Sequence, residues 1–89
     1  MKREFTIDLG GVRTPAALHD ALARALPLPP GCGRNLDALY DVLTEYGADW
    51  RIVFRNAAGI GRPFRAVCRD AMAATPGLEI VFSRRRRKP

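Results

Sequence analysis

Three carboxylates stand in line in the middle of this 89-residue chain. Asp37, Asp41 and Glu45 recur at every fourth position, the spacing that stacks side chains along one face of an α-helix. Carboxylates so arranged could act as general acid and base, ligate Mg²⁺, or receive a cationic partner. The first two roles need further groups converging from elsewhere, and nothing in the sequence brings Asp8 or Asp49 to this face. His19 is the only histidine, so neither a usual zinc site nor a pair of imidazoles is available. The chain has no Gly-rich phosphate loop and no Ser/His/Asp or Cys/His set in one region. These residues read as a non-enzyme without metal or cofactor. The plain alternative for the acidic row is a solvated helix face, although like charges four apart repel by a few tenths of a kcal/mol.

The charge map favours a partner. The chain carries 15 basic and 9 acidic residues. Arg84 to Lys88 are five adjacent cations, so residues 1–83 are nearly neutral. Residues 31–50 hold Arg34 against Asp37, Asp41, Glu45 and Asp49, whereas residues 51–70 hold five arginines against Asp70. The acids are an island on a neutral-to-basic surface, which suits a cationic partner. Five adjacent like charges make residues 84–89 a basic tail, read either as a solubility tail or as a hook for nucleic acid or an acidic partner.

The elements that must position the row follow from pattern. Residues 3–9 alternate, with Phe5, Ile7 and Leu9 on one side, as in a half-buried strand. Thr14-Pro15 starts a helix whose apolar stripe is Leu18, Ala21, Leu22, Ala25 and Leu26, stopped at Pro27. His19 belongs to the surface or boundary of that helix. The central helix has Asn35 as N-cap, Asp37 in its first turn, Leu36, Leu39, Val42 and Leu43 on its apolar side, and Tyr40 and Thr44 flanking the acids. Gly47 reads as a left-handed cap. Residues 50–55 read as a strand, and the consecutive Ile52, Val53 and Phe54 predict burial on both sides. A second long helix opens at Arg62-Pro63, with Phe64, Val67, Cys68, Ala71 and Met72 inward and Arg62, Arg65 and Arg69 outward. Pro76-Gly77 ends it, and residues 78–82 form the last strand.

The order strand, helix, helix, strand, helix, strand predicts a two-layer α/β domain with a parallel sheet. One domain spans residues 1–83, followed by the basic tail. No stretch approaches the ~20 apolar residues of a membrane span, and the start has no signal-peptide run, so a cytoplasmic protein is the expectation. Cys32 and Cys68 match no zinc pattern. Cys68 falls on an apolar face, and Cys32 is read as a free thiol, with a bridge to Cys68 as the alternative.

The residues Leu-His-Asp-x-Leu at 18–22, Leu-Pro at 28–29, and Gly-x-Asn-Leu-Asp-Ala-Leu-Tyr-Asp-x-Leu-Thr at 33–44 resemble the barstar family, intracellular inhibitors of the ribonuclease barnase. The similarity is close over about residues 17–46 and looser beyond. It implies a barstar-like fold, a three-stranded parallel sheet packed with about three to four helices. It also implies a 1:1 complex with a secreted microbial guanyl-type ribonuclease, formed by a protein that is a monomer when free. By the resemblance, Asp41 enters the cationic phosphate-binding site in place of substrate phosphate, and Asp37 meets basic residues nearby. Gly33, Asn35, Leu36, Tyr40 and Thr44 complete the contact, with Gly31, Cys32, Arg34 and Glu45 beside them. Three departures point away from barnase itself. Gly31 replaces a loop aromatic, Arg34 replaces a loop acid, and the region of a late-helix acid is Ala71-Met72 with Asp70 nearby. The implied target has an acidic outer surface facing Arg34, the Arg62/Arg65/Arg69 face or the tail. The competing readings are a nucleic-acid module using Arg84 to Lys88, and a domain of this fold that binds no nuclease.

Overall fold

Alternation in the first strand and consecutive apolar residues in the second resolve into one sheet with one buried face. The computed structural model describes residues 1–83; the expected basic tail lies outside the described residues. β1 (Arg3–Asp8), β2 (Trp50–Arg55) and β3 (Glu79–Ser83) form a parallel sheet in the order β1-β2-β3. α1 (Pro15–Ala25) and α2 (Leu36–Tyr46) lie between β1 and β2 in sequence, and α3 (Arg62–Ala74) between β2 and β3. The α/β class, the parallel sheet and the element order are as the sequence predicts. Among the described residues there are three α-helices, with short 3-10 turns at Gly47–Asp49 and Ala57–Gly59.

Register explains which face is buried. Phe5 pairs with Ile52 and Ile52 with Ile80; Ile7 pairs with Phe54 and Phe54 with Phe82. These side chains share one face and join Leu9, Leu22, Leu39, Leu43 and Trp50 in a single core. Phe54 stacks on Phe82 at 5.4 Å, and Phe64 of α3 meets both edge-on. The other face carries Thr6, Val53 and Val81 in register and is exposed or half-buried. Two-sided burial of residues 52–54 is therefore incorrect: Val53 points away from the helices, and its β-branched side chain suits an open pleat.

Across that open face Arg51 bridges Glu4 at 3.4 Å and Glu79 at 3.2 Å, one guanidinium joining all three strands. These groups are partly exposed, so the row contributes to register more than to stability.

Two further expectations are corrected. Gly47 is not left-handed (φ −90°, ψ 9°), because the chain runs from α2 straight into a 3-10 turn. A Cβ there would lie 3.1 Å from the side chain of Leu78, so this buried residue just before β3 occupies the space a side chain would need. Arg65 is not on the outer side of α3. Its Nη2 and Nε donate to the carbonyls of Ala57 and Ile60, and its guanidinium lies 4.7 Å from the centre of the Phe82 ring. It closes the 3-10 turn against the aromatic cluster, combining cation–π attraction with carbonyl pairing. The left-handed position that does demand glycine is Gly77 (φ +101°), where a Cβ would sit 2.4 Å from the Ala48 carbonyl oxygen.

Candidate protein-binding face on the central helix

α2 is capped at its start and buried along one side. The Asn35 side chain accepts from the Ala38 backbone N–H at 2.8 Å, satisfying one orphan donor of the first turn. Leu39, Val42 and Leu43 are buried against the core, and α3 packs beside the helix. Leu36 and Tyr40 are half-buried at the border. The Thr44 hydroxyl turns back and donates to the Tyr40 carbonyl at 2.9 Å, which keeps it at the margin of the exposed face.

Asp37, Asp41 and Glu45 are all exposed. Successive members are about 6 Å apart along the helix axis, so the row extends over two turns. Among the described residues none of the three holds an ion pair or a side-chain hydrogen bond. Each carboxylate keeps its full acceptor capacity on a helix that is capped at its start and buried on its other side. Among the described residues no three His, Cys, Asp or Glu side chains converge to hold a metal ion, and the row offers oxygens from one side only.

The loop before α2 is a separate piece of the same surface. Gly31 is left-handed (φ +77°), with nothing within 4 Å of where a Cβ would stand. The Cys32 amide closes a turn onto Pro29 at 3.1 Å. A Cβ on Gly33 would lie 3.1 Å from the Asn35 amide and 3.2 Å from the Ala38 Cβ, so this glycine lets the chain pass tightly into the cap. Gly31, Gly33, Arg34 and Asn35 are exposed beside the start of the row, and Cys32 is half-buried. Arg34 turns back to α1, where its Nη2 donates to the Ala16 carbonyl at 3.2 Å and to the Asp20 carboxylate.

All the residues expected at the site thus fall on α2 or on its entry loop. Two the sequence reading did not single out join them. Asp20 anchors the loop from α1, fourteen positions upstream of Arg34, a separation no periodic pattern links. Tyr46 at the end of α2 is 47% exposed, beyond Glu45; its spacing from Val42 and Leu43 would have placed it on the apolar face, so nothing in the periodicity could have found it. Asp70 is exposed on α3, which neighbours α2, and lies 4.0 Å from Arg69. Cys32 and Cys68 are both free thiols. Burial pushes the Cys68 thiol up to about 12, opposed more weakly by the nearby Arg65 charge. No helix among the described residues is long and apolar enough to cross a membrane.

The family model described as Barstar (barnase inhibitor) matches residues 2–82, nearly the whole chain. No curated protein matches it.

Proposed function

This chain belongs to the barstar family, a family of protein inhibitors of barnase and not of enzymes, and from that premise we propose how it meets its ribonuclease. α2 and its entry loop plug the active site of a secreted microbial guanyl-type ribonuclease in a 1:1 complex. Asp41 stands where a substrate phosphate would, and Asp37 meets neighbouring cations. The observation that carries this reading is the row itself: three exposed carboxylates without internal partners, on a capped helix whose opposite side is locked in the core. A ribonuclease must hold phosphate with positive charge. A carboxylate already fixed in place accepts charge-assisted hydrogen bonds from Arg or Lys with little ordering cost. Gly33, Asn35, Leu36, Tyr40, Thr44 and Glu45 form the margin of the contact.

The target is a ribonuclease other than barnase. Gly31 offers no aromatic ring to stack on it. Of the cations expected to face an acidic outer surface, Arg65 is folded inward and Arg34 is matched to Asp20, which leaves Arg62 and Arg69 on the exposed side of α3 and the basic tail. The inhibitor acts inside the cell that exports the nuclease, before export, and is a monomer until it binds.

A panel of small secreted microbial ribonucleases, basic and acidic, titrated with wild type and with Asp41→Ala, tests this reading. One enzyme is silenced at equimolar inhibitor, and the variant binds it roughly 30- to 5,000-fold more weakly, the cost of removing one member of a desolvated charge pair (about 2–5 kcal/mol). Silencing of none moves the function elsewhere. RNA binding that falls steeply with salt and vanishes on deleting residues 84–89 would assign it to the tail.

A further inference from the structure

We propose that Arg34 is a positioning residue rather than a partner contact: it straps the entry loop to α1 and so sets how the first turn of α2 is presented. The inference rests on the inhibitor reading above. One guanidinium spans two acceptors a helical turn apart on α1, the Ala16 carbonyl and the Asp20 carboxylate. Among the described residues, these are the only hydrogen bonds or ion pairs that tie residues 30–34 to another element. Apart from Cys32, which packs partly against the core, the loop is exposed. A groove of about 280 Å³ separates it from α1, lined by His19, Ala23, Leu28 and Cys32 among others. Pro30, Gly31, Gly33 and Arg34 are exposed, and Gly31 in the left-handed region has open space around it. Without the strap the loop would hang over this groove, and glycines at 31 and 33 would let it move.

Position decides what the strap does. Arg34 directly precedes the Asn35 cap, so its direction fixes where the first turn of α2 begins. Pairing with Asp20 also matches the one cation of the loop internally. The acidic row is then left without a competing free charge at its entrance, and the partner needs no acid opposite residue 34. Both groups are about half exposed (53% and 54%), so the pair adds little to global stability. Its loss would show in loop order and in how long the complex lasts.

The test compares wild type with Arg34→Met, Asp20→Ala and the charge-swapped Arg34→Asp/Asp20→Arg. It reads amide exchange at residues 31–34 in the free protein, the melting temperature, and koff from a ribonuclease that wild type inhibits. Both single variants are expected to exchange about tenfold faster in the loop and to leave the nuclease several-fold faster, with Tm moved by less than about 2 °C; the swap recovers most of both losses. Loop exchange unchanged in both single variants overturns the strap. So does a faster koff in Arg34→Met alone, which would make Arg34 a direct contact. Asp41→Ala, expected to lose inhibition with loop exchange unaltered, keeps the two readings apart. If no ribonuclease is inhibited, the proposed function fails while exchange in the free protein still decides the strap.

Discussion

At the scale of single residues, the two thiols separate cleanly. Cys68 is 1% exposed on the inner face of α3, whereas Cys32 is half-buried in the entry loop. A thiol reagent at pH 8 should therefore label one cysteine quickly in the native protein and the second only on unfolding. The pH dependence of stability follows from the same burial. Cys68 is raised from 9.0 to about 12 by desolvation. Below pH 9 its thiol is protonated in the folded and unfolded chains alike, and its contribution is fully present. Above pH 9 the unfolded chain releases the proton first, so stability falls as pH rises and the contribution is lost by about pH 12. Three units correspond to roughly 4 kcal/mol. Chemical denaturation between pH 8 and 11 checks this; Cys68→Ala should flatten the decline. Arg65 illustrates a residue whose type misleads. Its spacing with Arg62 and Arg69 reads as an outer charged face, yet an arginine can lay its stem and plane along an aromatic cluster, and here Phe82 and two loop carbonyls receive it.

At the scale of elements, α2 departs from what would make it most stable. Asp37 in the first turn suits the helix dipole, but Glu45 sits in the last turn, where negative charge is unfavourable, and no basic residue offsets it there. The row also repels itself at each four-residue step. Glu45→Gln is accordingly expected to stabilise the protein by about 0.3–0.5 kcal/mol, read as a small rise in denaturation midpoint, while weakening the nuclease complex. A stabilising change that leaves binding untouched would take Glu45 out of the interface. The cap, the acids and the apolar stripe of this helix were all legible in its sequence, because each depends on neighbours within four residues. Its end at Tyr46-Gly47 was legible too, but the conformation of Gly47 was not: the glycine packs against Leu78, thirty-one positions away.

At the scale of the whole molecule, among the described residues the acids of α2 form no ion pair with the cations of α3, and Arg51 is shared between Glu4 and Glu79 on the open face of the sheet. If the proposed inhibitor reading holds, long-range attraction to a cationic active site governs encounter. Raising ionic strength from 50 to 500 mM should slow association by about tenfold or more while dissociation changes much less, measured by stopped-flow or surface-based kinetics with the inhibited ribonuclease. Equal loss in both rates would mean that the row acts only at contact range. The core behind the row carries no comparable dependence, since it is apolar and aromatic from Trp50 to Phe82.

The linear order of residues by itself determined the strands, the helices, their parallel arrangement and the position of the acidic row, because period, caps and Pro/Gly boundaries are local properties of the backbone. It also carried the motif at residues 33–44 that marks the family. Tertiary structure alone decided which side of β2 is buried, since that depends on helices packing on one face of the sheet only. It decided that Arg65 points inward and that Arg34 reaches Asp20, because opposite charges far apart in sequence meet only when the chain has folded. The acidic row is therefore written locally in α2, whereas the contacts that join its entry loop to α1 and its apolar side to the core are long-range.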